Sequence, residues 1–395
     1  MSLVKLKDIA VSITDGKHGD CIGQNDSGYY FVSCKDVFEG AIHYENSRQI
    51  TKEDFIDADR RTNLAPNDIL ITNSGTIGRM ALVKDIPETR RTTFQKSVAI
   101  VKPNTEKVLP TYLYYLLQSK VNEFVNKSNG AAQKNLLLST MRDFDLDIVD
   151  SLLNQHSIST ILSRYDTLIE NYQKQIKLLE EAAQRLYKEW FVDLRFPGYE
   201  NAKMVDGLPE GWERKRLVDF ANVIMGQSPK SEYYNNENKG LPFHQGVGSY
   251  GNRFVVDQTY STSYTRIAEA NSVLFSVRAP VGRLNITKNK IIIGRGLAAM
   301  THVQGYQSFL FYLLKERFFK DNIIGNGAIF ASISKDELLN LEFMISSDDL
   351  IQRFNTIAGN MDDKILKADN QIRLLTEARD RLLPRLIGGE IRVIN

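Results

Sequence analysis

Residues 152–192 read LLNQHSISTILSRYDTLIENYQKQIKLLEEAAQRLYKEWFV, and no proline or glycine follows until Pro197 and Gly198. Apolar residues fall at Ile161, Tyr165, Leu168, Tyr172, Leu179, Ala182 and Leu186. Steps of three and four place them on one face of a helix, close to a seven-residue repeat. About forty residues at ~1.5 Å each would make a rod of roughly 60 Å. A solitary helix of that length with one apolar stripe needs a partner. The same rhythm returns at Phe354, Ile357, Met361, Ile365, Ala368, Ile372, Leu375, Ala378 and Leu382, so the chain supplies a partner itself.

The two segments are copies. Gln175-Ile176-Lys177-Leu178-Leu179-Glu180-Glu181-Ala182 aligns with Gln371-Ile372-Arg373-Leu374-Leu375-Thr376-Glu377-Ala378, and Arg185-Leu186 with Arg381-Leu382. The likeness extends upstream. Tyr112-Leu113-Tyr114-Tyr115-Leu116-Leu117 corresponds to Phe309-Leu310-Phe311-Tyr312-Leu313-Leu314, and Gly130-Ala131 to Gly327-Ala328. Asp68-Ile69-Leu70 and Ile77-Gly78-Arg79 correspond to Ser272-Val273-Leu274 and Val281-Gly282-Arg283. A period of about two hundred residues is too long for a solenoid and suits a repeated domain-plus-helix unit.

Composition agrees with two such units. A chain of 395 residues has room for two or three domains, each long enough to bury its own core. The net charge of +2 means that any nucleic-acid surface is a local patch. The opening MSLVKLKDIA has no apolar core of signal-peptide length, and no stretch approaches the ~18 apolar residues of a membrane helix. Two cysteines, Cys21 and Cys34, are too few for a disulfide framework or a four-ligand zinc site. The expectation is a cytoplasmic protein that does not enter a membrane.

Short β-rich runs at 29–34, 68–72, 80–83 and 97–101 alternate with turn signals, and 109–127 reads as a helix with Pro110 in its first turn. The predicted organisation is a first mixed α/β domain with an irregular β framework at 1–150, a long helix at 151–193 and a linker at 194–210. A second domain at 211–346, a second long helix at 347–387 and a tail at 388–395 follow. Pro384 is expected to kink or tighten the last turn of the second helix. Domain loops are rich in groups suited to nucleic acid. In the first domain these are Lys17-His18, Lys35, Arg60-Arg61, Asn73-Ser74, Arg79, Arg90-Arg91, Gln95-Lys96 and Gln133-Lys134-Asn135. In the second they are Gln227-Ser228-Pro229, Gln245, Tyr250, Arg253, Arg278, Arg283, Arg295 and Asn326. Lys and Arg suit phosphates, and Asn, Gln and Arg can make bidentate contacts to base edges. For any single residue, plain solvated surface is the competing reading.

Motifs for chemistry are missing. The chain has no GxxxxGK[ST] phosphate loop, no glycine-rich cofactor loop and no Asn/Asp-Pro-Pro-aromatic motif of amino-methyltransferases. It also lacks HExxH, Cys-x-x-Cys and G-x-S-x-G, and its five histidines are scattered. Gly294-Arg295-Gly296 reads as a tight turn presenting Arg295. The expectation is a non-catalytic protein with no catalytic or metal-binding residues.

Layout and local motifs together resemble the specificity subunit of Type I restriction–modification enzymes, over essentially the entire chain. The motifs are the duplicated units, EAAQRLYKEWFVDLRFPG at 181–198 and RDRLLPRLIGGEI at 379–391. To these add Thr14-Asp15-Gly16-Lys17-His18-Gly19, Gly226-Gln227-Ser228-Pro229, Arg278-Ala279-Pro280-Val281-Gly282 and Gly294-Arg295-Gly296. The resemblance implies two target-recognition domains, each reading one half of a bipartite, asymmetric site in double-stranded DNA. The long helices would form an antiparallel coiled coil between them, with pseudo-two-fold symmetry. Two methyltransferase subunits and two restriction subunits would be the partners. No cofactor would belong to this chain: S-adenosylmethionine would sit in the methyltransferase, and ATP and magnesium in the endonuclease. A rod of ~60 Å against ~34–36 Å per DNA turn would set the half-sites on the order of one turn apart. A stand-alone sequence-specific DNA-binding regulator with a coiled-coil spacer is the alternative.

On this reading the DNA contacts are Lys17, His18, Lys35, Asn73, Ser74, Arg79 and Gln133 in the first domain. In the second they are Gln227, Ser228, Arg278, Arg283, Arg295 and Asn326. Repeat-equivalent Arg79 and Arg283 suit a shared phosphate contact, with a buried structural arginine as the other possibility. Gln175 and Gln371 are stripe positions where a polar pair could fix register. Ile169, Ile176, Leu178 and Leu374 lie off the stripe, either as a docking face for a partner helix or as packing against the chain's own domains.

Overall fold

The structure, a computed structural model, describes residues 2–130, 134–319 and 332–393. It divides into two compact units, Met1–Asn171 with Gln371–Asn395, and Tyr172–Asn370. The first long helix, Leu152–Tyr187, is followed by one π turn, Lys188–Val192, and the second long helix is Asp348–Ile387. Each helix therefore contributes one part of its length to each unit.

In the first unit, four antiparallel strands lie in the order Ala10–Asp15, Val98–Pro103, Ile69–Thr72, Met80–Leu82. In the central pair, residues 69–71 and 98–101 are apolar throughout because both faces are covered. Ile69, Ile71, Ala99 and Val101 join one core, and Leu70, Val98 and Ile100 point to another. A smaller sheet pairs Tyr30–Val32 parallel to Thr92–Phe94, and Ser2–Lys5 pairs with Asp145–Ile148. Tyr112, Leu113, Tyr114, Tyr115, Leu116 and Leu117 are all buried on helix Pro110–Ser119. The single helix expected over 109–127 is two, since Lys120 (ψ 5°) separates Pro110–Ser119 from Val121–Asn126. The break lets Val121 settle on Gly78, where a Cβ would stand 2.6 Å from Val121 Cγ1.

The second unit repeats this plan. Its four strands lie in the order Ala221–Met225, Leu297–His302, Val273–Ser276, Leu284–Ile286. Val273, Phe275, Ala298 and Met300 face one core, and Leu274, Leu297 and Ala299 the other. Leu241–His244 runs parallel to Ile291–Ile293, and Glu213–Arg216 pairs with Glu342–Ile345. Helix Gln307–Phe319 is unbroken, and its Phe318 packs where a Cβ on Gly282 would stand, 2.9 Å away.

Within each unit the long helices pack antiparallel. In the first, Asp166 accepts from Arg379 at 2.6 Å. Ile158 and Leu162, earlier in the first helix, share a core with Leu383, Leu386 and Ile387, later in the second. In the second unit Ala183, Tyr187 and Trp190 join Phe354, Ala358 and Ile365. Rings of Tyr187, Trp190 and Phe191 surround Phe354 at 5.7, 6.1 and 5.2 Å. Burying a side chain such as Phe354 is worth about 1.5–3 kcal/mol.

The buried stripe differs in detail from the one read in the sequence. Ala182, Leu168 and Ile357 are exposed, whereas Ala183 and Ala358 are fully buried. One residue turns a helix by ~100°, and these segments face both the other long helix and a unit's core. Gln175 and Gln371 are exposed, so they do not form a buried register pair. The second helix runs through Pro384 to Ile387, and the Gly388 N–H donates to the Pro384 carbonyl at 2.8 Å. Among the described residues no helix is long and apolar enough to cross a membrane.

Candidate nucleic-acid interface

Strand pairing in the first unit gathers loops that are distant in sequence. The Lys17 N–H donates to the Phe94 carbonyl at 2.7 Å, and the Lys96 N–H to the Lys17 carbonyl at 3.2 Å. The Cys34 N–H donates to the Ser97 hydroxyl at 3.2 Å, which brings Lys35 alongside. The Asn73 N–H donates to the Ser97 carbonyl at 3.0 Å, and Ser74 bridges to Asn135. Segments 16–18, 33–36, 73–76 and 95–97 thus form one cluster. Arg79 flanks it, with its N–H on the Thr72 hydroxyl at 2.9 Å.

Charge separates these residues into two kinds. Lys17 is held by Asp57 at 3.0 Å and Asp54 at 3.6 Å, and the hydrogen bond to Asp57 holds the ammonium above its usual range. His18 meets Asp15 at 2.9 Å, and Asp15 also pairs with Arg61. Arg90 pairs with Asp85 at 3.0 Å. Lys35, Arg79 and Lys96, by contrast, have no ion pair among the described residues, and Lys35 and Arg79 are exposed. An exposed cation without a carboxylate is available to a phosphate. Asn73 is buried and Ser74 half-buried. Gln133 lies outside the described residues.

The second unit builds the equivalent cluster from glycine turns. The Gly226 N–H donates to Leu297, the Gln227 N–H to Ile293, the Gly294 N–H to His244 and the Gly296 N–H to Gln245, at 2.8–3.1 Å. A Cβ on Gly226 would stand 2.1 Å from the Gly294 carbonyl oxygen, so these two turns interlock only as glycines. Ser228 donates to the side-chain oxygen of Gln245 at 2.6 Å and accepts from the Arg295 N–H at 3.3 Å. Gln227, Arg278 and Arg295 are exposed, and Ser228 and Arg283 half-buried. The Arg283 N–H rests on the Ser276 hydroxyl at 2.8 Å, matching Arg79. Asn326 lies outside the described residues.

Several loop residues read as suited to DNA serve structure instead. Arg253 is buried, pairs with Glu180 at 3.1 Å and Asp362 at 2.5 Å, and lies 4.3 Å over the Phe311 ring. Tyr250 is largely buried, and burial pushes its hydroxyl pKa up. Gln245 and Lys96 carry the opposite correction. Both stand inside the clusters, yet in sequence they were only members of a long inventory of polar loop residues. The usable signal was position: Gln245 directly follows the apolar strand Leu241–His244, as Lys96 follows Thr92–Phe94 by two.

On the long helices, Ile169 is buried and Ile176 packs against the second unit's core. The chain's own packing accounts for those two. Leu178 and Leu374 are 64% and 47% exposed. Among the described residues no group of three His, Cys, Asp or Glu side chains is placed to hold a metal ion.

Known proteins resemble this chain in sequence and in fold. Residues 2–181 and 209–353 match the family described as the Type I restriction modification DNA specificity domain. The Type I restriction enzyme MjaIX specificity subunit of Methanocaldococcus jannaschii is 29% identical, over 82% of this chain and 78% of that one. The HindI specificity subunit of Haemophilus influenzae is 23% identical, over 74% and 80%. A crystal structure of the Type I restriction–modification S subunit from M. genitalium superposes with a TM-score of 0.60 at 16% identity, covering 98% of this chain and 95% of that chain, which is a likeness of fold. With the family matched once in each half of a duplicated chain, this protein belongs to the Type I restriction–modification DNA specificity family.

Proposed function

We propose that the chain is the non-catalytic, sequence-reading subunit of a Type I restriction–modification complex, each unit reading one half of a bipartite, asymmetric target in double-stranded DNA. The observation that carries this reading is the repeated cluster of strand-end loops. Each unit gathers exposed cations that have no carboxylate partner among the described residues, Lys35, Arg79 and Lys96 in one, Arg278 and Arg295 in the other, beside polar side chains that can reach base edges. Because the two clusters differ in sequence, the two half-sites differ. The long helices are the natural platform for two methyltransferase subunits, with two restriction subunits joining for cleavage. S-adenosylmethionine belongs to the methyltransferase partner, and ATP with magnesium to the endonuclease partner. The protein works in the cytoplasm, where its DNA is.

Mapping N6-methyladenine across the source genome, with and without this gene, tests the reading. Loss of the mark at one asymmetric, gapped motif is the expected result. An unchanged methylome, together with no methyltransferase copurifying with the chain, would favour a stand-alone DNA-binding regulator.

A further inference from the structure

We propose that Gln245 and Arg295 are a purine-reading pair in the second unit, and that Ser228 is the positioning residue that sets the Gln245 amide. The inference rests on the DNA-reading role proposed above and assigns one patch of that surface its chemistry.

The backbone beneath Gln245 is fixed from three sides. His244, fully buried, bonds through Nδ1 to Ser249 at 2.8 Å and through Nε2 to Asp257 at 3.0 Å. Its carbonyl accepts from Gly294 at 2.8 Å, and the Gln245 carbonyl accepts from Gly296 at 3.1 Å. Side chains at 294 or 296 would collide with Gln245, since a Cβ there would stand 2.6 or 2.5 Å from its atoms. The reader therefore stands on a rigid base and loses little freedom on binding.

The side chain is exposed and already oriented. Ser228 donates to Oε1 at 2.6 Å, which fixes oxygen and nitrogen of the amide. Oε1 keeps a second lone pair, and both N–H groups make no bond within the described protein. An amide in this state offers one acceptor and one donor side by side, the pattern that matches N6–H and N7 of adenine. Arg295 follows on the turn that locks Gln245, is exposed, and has no ion pair or side-chain hydrogen bond among the described residues. Its guanidinium matches O6 and N7 of guanine. A glutamine and an arginine on one rigid edge suit adjacent purines in the major groove.

The test uses the full chain coexpressed with its methyltransferase partner in a host free of N6-methyladenine, with the methylated motif read by sequencing. Variants are Gln245→Leu, Gln245→Glu, Ser228→Ala and Arg295→Ala, scored also for binding to duplexes permuted at each position. We expect changes confined to one half-site. Gln245→Leu and Arg295→Ala each lose about 10- to 100-fold discrimination at a purine position. Ser228→Ala relaxes the Gln245 position while binding persists. Gln245→Glu moves preference at that position towards cytosine, whose amino group a carboxylate accepts, a gained preference that misfolding cannot produce. A wild-type motif that no variant alters overturns this inference and leaves the specificity role standing. Uniform weakening on every duplex also overturns it, in favour of phosphate contacts. Absence of any gapped motif with the wild-type chain overturns both readings.

Discussion

Arg253 lies 2.5 Å from Asp362, in a pocket where the arginine is 4% exposed. The Tyr312 hydroxyl donates to the same carboxylate at 3.0 Å. In the first unit Asp166, at the repeat-equivalent helix position, is bound by Tyr115 and Arg379. The duplication kept the tyrosine–aspartate pair and changed where the cation comes from: a domain loop in one unit, the second long helix in the other. Removing one partner of a buried pair strands the other charge. Asp362→Asn should therefore cost on the order of 3 kcal/mol, whereas Glu377→Gln, breaking the exposed i,i+4 pair with Arg373 at 2.8 Å, should change stability by less than about 0.5 kcal/mol. Urea unfolding of the purified chain measures both.

Free and neutralised cations should behave differently on DNA. Arg79→Ala and Arg278→Ala remove exposed cations with no carboxylate partner among the described residues. Each should weaken binding to all sequences alike and reduce the salt slope by about one. Lys17→Ala should do less, because Asp57 and Asp54 already hold that ammonium. Titrations of one duplex at several salt concentrations give the slopes. An altered base preference with an unchanged slope would reassign Arg79 or Arg278 to base reading.

Leu178 and Leu374 are exposed on the long helices, so truncation to alanine should alter stability by less than about 0.5 kcal/mol. If they form a docking face, the double variant should lose copurification with the methyltransferase while melting like the wild type. A large drop in melting temperature would show instead that they support the chain's own fold.

His302 gives the second unit an acid-sensitive point. Burial lowers its pKa to about 4, and its Nδ1 accepts the Gln304 N–H at 3.1 Å. The unfolded chain, with histidine near 6.5, binds more protons than the folded one between those values. Stability supplied by neutral His302 is thus full above about pH 6.5 and is lost as pH falls towards 4. At about 1.36 kcal/mol per unit the loss is on the order of 3 kcal/mol. His302→Asn, which keeps an acceptor but cannot titrate, should flatten the acid limb in melts run from pH 7 to pH 4.

The repeat and its periodicity were legible in the sequence because both are one-dimensional. Copies such as Ile77-Gly78-Arg79 and Val281-Gly282-Arg283 announced a shared turn, and the turn recurs with the same hydroxyl bond, Thr72 in one unit and Ser276 in the other. Long proline-free stretches with three- and four-residue steps announced the two long helices. Which residue of each step is buried was another matter. Ala183 rather than Ala182 faces inward because the helix packs on more than one neighbour.

By itself, then, the sequence determined the duplicated α/β plan, the two long helices and the kind of loops that crown each unit, since composition and spacing act locally. Tertiary structure alone decided which of those polar residues are free. Arg253 and Arg295 look alike in a string of letters. One is neutralised by a carboxylate 109 residues away, and the other stands exposed beside Ser228 and Gln245. A charge is available to DNA only where the fold brings no opposite charge within a few ångströms, and that distance is set by packing between segments far apart in the chain.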